Sequence, residues 1–163
     1  MNFRVGFGYD VHQLEEGYRL MIGGVAIPFE KGSKGHSDGD VLIHALMDAL
    51  LGAAGKRDIG YHFPDNDKDL KGIDSKLLLE RTMKILKEEG YTIGNIDATV
   101  TLQKPKIGYA IPQMQQVLSE ILGLRADAVA IKATTTEKMG FVGHGEGIAA
   151  YCVVLIYKEQ QGG

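Results

Sequence analysis

Residues 3–12 read Phe3-Arg4-Val5-Gly6-Phe7-Gly8-Tyr9-Asp10-Val11-His12. Phe3 to Tyr9 forms a strand by this reading, with its glycines placed where another part of the chain approaches the backbone. On an extended chain, side chains two residues apart share a face. Asp10 and His12, at the end of the run, therefore send a carboxylate and an imidazole in one direction. A second imidazole, His44, follows the loop Gly35-His36-Ser37-Asp38-Gly39-Asp40, early in a strongly helical stretch. Two histidines and one aspartate form a three-ligand set that suits zinc with its fourth position open, the catalytic pattern. The same residues also read as a turn closure and an ordinary helix histidine, and spacing alone leaves both open.

Working outward, Arg19 to Phe29 predicts a short hairpin turning at Gly23-Gly24. Asp38 to Ala54 predicts a helix capped by Ser37 or Asp38 and ended by Gly55. Its most apolar side carries Leu42, Leu46, Ala49 and Leu50, while Val41, His44 and Asp48 share the narrow remaining face. Asp48, one turn after His44, reads either as an acceptor for the second ring N–H of that histidine or as part of a solvated stripe. Lys56 to Gly72 lacks apolar periodicity, carries Asp58, Asp65, Asp67 and Asp69, and predicts a long polar loop of the kind that serves function. Asp74 or Ser75 then caps a helix through Glu89, with Leu78, Met83, Ile85 and Leu86 inward. Thr92 to Leu102 is a β-branched strand. Ile111, Met114, Val117, Leu118, Ile121 and Leu122 recur at helical spacing between Pro112 and Gly123. Ala128 to Ala133 and Ala150 to Tyr157 complete the strands. No regular parallel βαβ repeat appears, so the expected class is α+β: a two-layer α/β sandwich, a mixed sheet packed on helices. Residues 1–163 form one domain, long enough to bury a substantial core.

A net charge of −3 with no basic block excludes a nucleic-acid footprint. No apolar stretch reaches membrane-spanning length and no charged-then-apolar leader precedes the first strand, so a cytoplasmic protein without membrane partners is expected. Cys152 is the single cysteine and lies within an apolar run, as a core thiol does. Histidine and carboxylate are left as the transition-metal ligands.

Three further clusters bear on chemistry. The Gly35–Asp40 loop brings a histidine, a hydroxyl and two carboxylates to a helix start, which reads as an anion site or simply as a polar cap. Lys132-Ala133-Thr134-Thr135-Thr136-Glu137-Lys138 follows a strand. Its hydroxyls and amides suit phosphate oxygens, and Glu137 is the hard oxygen ligand that holds Mg²⁺ on a substrate phosphate; an exposed strand end with a charge pair is the alternative. Gly140-Phe141-Val142-Gly143-His144-Gly145-Glu146-Gly147 marks a tight backbone, without the Gly-Lys-Ser/Thr ending of a P-loop. Together these point to phosphoryl transfer on a small phosphorylated substrate. Nothing in the spacing names the substrate; a metal-dependent phosphohydrolase using a zinc-bound water and a metal- or nucleotide-binding regulator are the competing readings.

Asp10-Val11-His12, His36-Ser37-Asp38-Gly39-Asp40 with His44, Asp58-Ile59-Gly60, Phe63-Pro64-Asp65, Pro105-Lys106, Ile111-Pro112-Gln113-Met114 and Lys132 to Lys138 with Gly140-Phe141 stand in order from end to end. In these motifs the chain closely resembles the 2-C-methyl-D-erythritol 2,4-cyclodiphosphate synthase family of the non-mevalonate isoprenoid pathway. The resemblance implies conversion of 4-diphosphocytidyl-2-C-methyl-D-erythritol 2-phosphate to the cyclic diphosphate with release of CMP. It also implies a homotrimer with active sites shared between adjacent subunits. By motif, Asp10, His12 and His44 resemble the zinc ligands, Glu137 the residue holding Mg²⁺ or Mn²⁺, and His36 and Thr135 the catalytic pair. Ser37, Asp58, Gly60, Phe63 and Asp65 resemble the methylerythritol-phosphate pocket, and Pro105, Lys106, Thr134, Thr135 and Thr136 the cytidine-diphosphate side. Asp10, His12, His36, Asp67, Glu137 and Phe141 resemble further substrate-binding positions. His144 and Tyr151 depart from the arginine and glutamate found in relatives, at positions associated with the trimer axis.

Overall fold

The computed structural model describes residues 2–159. The chain runs β1 (Phe3–Glu16), β2 (Leu20–Ile22), β3 (Val25–Ile27), β4 (Lys31–Lys34), α1 (Val41–Ala53), α2 (Ile59–His62), α3 (Ser75–Glu88), β5 (Thr92–Thr101), α4 (Ile111–Leu122), β6 (Val129–Thr134), α5 (Gly140–Gly143) and β7 (Gly147–Tyr157). Five strands form one sheet in the order β4-β1-β7-β5-β6. The β5–β6 pair is parallel and the others are antiparallel, so the sheet is mixed, as expected. The β2–β3 hairpin stands apart and turns at Gly23 and Gly24, both in the left-handed region that such two-residue turns require.

Helix α1 lies across β1 and β7, α4 lies on β6, and α3 packs between α1 and α4. Beneath them Ile96, Ala98 and Val100 of β5 and Cys152, Val154 and Ile156 of β7 are buried. Cys152 is a core thiol as expected, and burial pushes its pKa up to about 12. The opposite face of the sheet is open: Phe3, Val5, Phe7, Tyr9, Val11, Tyr151 and Val153 are all exposed there.

The glycines of the first strand set the height of α1. A Cβ at Gly6 would stand 1.9 Å from the Ala49 carbonyl oxygen, and one at Gly8 would stand 1.8 Å from that of Ala45. Two bare strand positions beneath the helix alanines thus allow backbone-to-backbone contact. Gly6, Gly8, Asp10 and His12 occupy the same face, so the strand delivers the carboxylate and the imidazole to the helix beside His44.

Several boundaries differ from the sequence reading. β1 continues to Glu16, because Gln13 to Glu16 pair with β4. Helix α1 begins at Val41, with Asp40 as N-cap in place of Ser37 or Asp38. The fully buried Asp40 carboxylate accepts amide N–H bonds from Ile43 (3.0 Å), Gly23 (2.9 Å) and Gly24 (2.7 Å). The cap choice is therefore made by the distant hairpin turn. Helix α1 is also buried nearly all round, Val41 and His44 included, so no solvated stripe passes through His44. The polar loop contains helix α2 and a 3₁₀ turn at Lys68–Leu70, with Leu70 buried.

Candidate metal centre

Asp10 Oδ2 lies 2.9 Å from His12 Nε2 and 3.1 Å from His44 Nδ1, and the two ring nitrogens are 3.1 Å apart. One ligand atom from each residue falls within 4.8 Å of the others. β1 supplies the first two and the second turn of α1 the third. His12 Nδ1 donates to the Lys34 carbonyl at 3.1 Å. A carbonyl only accepts, so that nitrogen carries the hydrogen and Nε2 is the one turned toward the group. Two nitrogens and one carboxylate oxygen, each able to offer a lone pair, fit a divalent metal with an open position. In the metal-free protein, burial alone would raise the Asp10 pKa. The hydrogen bonds and charges of His12 and His44 outweigh it and hold Asp10 at about 2. Burial likewise opposes charge on His12, but its bond to Asp10 wins and raises its pKa.

The group opens into a cavity of about 300 Å³ that also exposes His36, Ser37, Phe63 and Asp65, over an apolar floor of Leu70, Ile73 and Leu78. His36 is fixed by the Asp67 backbone carbonyl, 3.0 Å from its Nε2. The Asp67 carboxylate instead accepts the Asp69 amide at 2.9 Å. Asp58 is the N-cap residue of α2 without a capping side-chain bond, and Gly60 lies within that helix. Asp58, Gly60 and Asp67 do not line this cavity.

The polar cap reading of the Gly35–Asp40 loop holds, since the Asp40 carboxylate occupies the first-turn amide of α1. Asp48 is not the partner of His44. Its Oδ1 accepts the Ile59 amide at 2.8 Å, because α2 folds back onto α1. The outer nitrogen of His44, Nε2, instead meets Ser37 Oγ and Ser75 Oγ, each at 3.0 Å. Sequence reasoning had Ser75 only as a helix cap, and no local spacing could have tied it to a histidine 31 positions away.

A second cavity, of about 910 Å³, is lined by Phe29, Pro105, Lys106, Tyr109, Thr134 and Thr135 among others. Its wall is mainly apolar, with Gln103, Lys104, Lys106, Thr134 and Thr135 among its polar groups, a lining that suits a flat heterocycle bearing a charged tail. Beyond it Thr136 Oγ1 donates to the Met139 carbonyl at 2.7 Å, and the Glu137 amide donates to Thr135 Oγ1 at 3.2 Å. Glu137 and Lys138 adopt φ of 53° and 63°, a left-handed pair unusual outside glycine. Phe141 turns its ring over Gly147, where a Cβ would come 2.8 Å from ring atom Cδ2. His144 caps the C-terminus of α5, and Tyr151 faces Tyr9 on the open sheet face with ring centroids 5.2 Å apart. The two cavities share no lining residue, so within one chain the Asp10 group and Thr134–Thr135 lie in separate pockets.

Comparison with known proteins agrees along the whole chain. The YgbB family model matches residues 3–157. A 2-C-methyl-D-erythritol 2,4-cyclodiphosphate synthase of Bacteroides fragilis is 60% identical over 156 residues, covering 96% of this chain and 98% of that one. The bifunctional IspDF of Campylobacter jejuni matches with a TM-score of 0.93 at 41% identity, over 96% of this chain and 42% of that one. A 2C-methyl-D-erythritol-2,4-cyclodiphosphate synthase solved in a CDP-bound form matches with a TM-score of 0.86 at 36% identity, over 94% of this chain and 99% of that one.

Proposed function

The chain belongs to the YgbB family, and from that membership we propose how its two half-sites carry out the cyclodiphosphate synthase reaction of its relatives. It is an enzyme of non-mevalonate isoprenoid biosynthesis, a lyase that forms a cyclodiphosphate. The substrate is 4-diphosphocytidyl-2-C-methyl-D-erythritol 2-phosphate. An oxygen of its 2-phosphate bonds to the β-phosphorus, the bond from that phosphorus to the bridging oxygen breaks, and CMP leaves with that oxygen. Both reacting groups belong to one molecule, so catalysis is mainly positioning and charge stabilisation.

The convergence of Asp10, His12 and His44 in the wall of the cavity carries this reading. These residues would hold Zn²⁺, which supplies a Lewis acid for a phosphate oxygen. His36, fixed by the Asp67 carbonyl, and Ser37 direct polar groups into the same cavity, where they orient the 2-phosphate. Phe63 and Leu70 exclude water around the methylerythritol carbons. Asp58, Gly60, Asp65 and Asp67 lie on the segment that borders this half of the site.

In the other half, Pro105 and Lys106 hold cytidine, and Thr134, Thr135 and Thr136 bind the diphosphate. Phe141 braces the loop beside them. Glu137 is the carboxylate for Mg²⁺ or Mn²⁺ on that diphosphate; among the described residues it has no ion-pair partner. CDP, which the CDP-bound relative holds, has the flat base and charged tail that suit this larger cavity. Because the halves are separate within one chain, a neighbouring subunit completes each site, in a homotrimer built on the open sheet face. Residues 1–163 act as one catalytic domain in the cytoplasm. Among the described residues no helix is long and apolar enough to cross a membrane.

³¹P NMR of the protein with Zn²⁺, Mg²⁺ and the substrate tests the reaction. A cyclic diphosphate with an equal amount of CMP is expected. CMP with a linear product would make the protein a hydrolase instead.

A further inference from the structure

Two hydroxyls reach the outer nitrogen of His44, and they are not equivalent. Ser75, at the first position of α3, is fully buried. Its amide donates to Asp38 Oδ2 at 3.0 Å, and its hydroxyl donates to Asp38 Oδ1. Asp38 Oδ1 also accepts the Asp40 amide at 3.2 Å. An ionised carboxylate only accepts, and a serine hydroxyl has one hydrogen. With that hydrogen directed to Asp38, the Ser75 oxygen has only lone pairs left for His44. A ring hydrogen on Nε2 suits both serine oxygens, each 3.0 Å away, and in that tautomer Nδ1, 3.1 Å from Asp10 Oδ2, keeps its lone pair on the inner side.

Ser37 stands differently. Its oxygen faces the same Nε2 and accepts the Gly39 amide at a long 3.4 Å, but the residue lines the cavity. Among the described residues no carboxylate takes its hydrogen.

We infer that Ser75, backed by Asp38, is a positioning residue for the metal: it fixes the His44 tautomer so that Nδ1 offers a lone pair beside Asp10 and His12. The same arrangement leaves the Ser37 hydroxyl hydrogen free for a phosphate oxygen in the cavity. Such outer-shell bonds orient a ligand imidazole and raise its basicity. The inference rests on Asp10, His12 and His44 being the metal ligands.

Zinc alone is the probe, with the full chain. Ser75→Ala should weaken zinc binding about 10- to 100-fold in chelator competition, with an unchanged circular dichroism spectrum. Ser37→Ala should stay within about threefold of the parent, since the Ser75 oxygen remains. Long-range ¹H–¹⁵N NMR of the unmodified protein reads the tautomer directly and needs no variant. At mildly alkaline pH the metal-free protein should show His44 protonated at Nε2, and zinc should attach at Nδ1. A His44 protonated at Nδ1, or a Ser75→Ala protein that binds zinc as tightly as the parent, would overturn the assignment. Equal losses in the two serine variants would overturn the asymmetry between them. An unmodified protein that binds no zinc refutes the metal reading itself, while the metal-free tautomer still decides the role of Ser75.

Discussion

His12 and Asp10 are bound to each other by charge, and that makes the metal-free site sensitive to pH. Asp10 titrates at about 2 in the folded chain against an ordinary 3.8, so its stabilisation is present above 3.8 and lost as pH falls toward 2. His12 is raised above its ordinary 6.5, so its stabilisation is complete below 6.5 and lost as pH rises through the raised value. The melting-temperature loss caused by His12→Ala in the metal-free protein should therefore be largest between pH 3.8 and 6.5. A loss that keeps growing through neutral pH would contradict the pairing. Zinc affinity should run the other way, rising as His12 loses its proton. In the second half-site Glu137→Gln should lower turnover about 10²–10³-fold with the fold intact. Near-normal activity at saturating Mg²⁺ would remove Glu137 from its role.

Between elements, the decisive contact is that of β1 with α1. Gly8→Ala would force a methyl group into the Ala45 carbonyl and should destabilise the protein by about 3 kcal/mol or more, since backbone has no room to yield. Urea denaturation measures it, and a cost below about 1 kcal/mol would show that α1 does not rest on the strand glycines. Asp40→Ala should cost a similar amount, about 3 kcal/mol or more, by stranding three amides of the hairpin turn and the helix start. The strand and the helix were legible in the sequence because each depends on a local period, two for β1 and 3.6 for α1, and the shared direction of Asp10 and His12 followed from the first; the approach of His44 to them exists only once α1 packs on β1. The cap was not. Ser37, Asp38 and Asp40 are all good caps by type, and only the amides of Gly23 and Gly24, far along the chain, select Asp40. Asp48 misled for the complementary reason. One helical turn from His44 is the right local distance, but α2 folds back and claims the carboxylate through the Ile59 amide. Ser75 could be read as a helix start, whereas its contact with His44 exists only once α3 packs beside α1.

At the scale of the whole molecule, one sheet face buries the core and the other is unusually apolar for a surface left in water. Phe3, Val5 and Phe7 of β1 are each more than half exposed there, at 51%, 64% and 62%. A contiguous patch of this kind is the surface on which the proposed trimer would form, and the proposed shared site requires that it bring the Asp10 group of one subunit to Glu137 of the next. Phe7→Glu should then yield monomers in sedimentation and abolish turnover while secondary structure persists; an active monomer would refute the shared site. The most direct measurement mixes two inactive variants, His12→Ala and Glu137→Gln, after verified subunit exchange. A site composed of two subunits regains about a quarter of the parent activity in an equal mixture, because random assembly pairs intact halves once in about four interfaces. A mixture of confirmed hetero-oligomers that stays as inactive as its components would contradict the account.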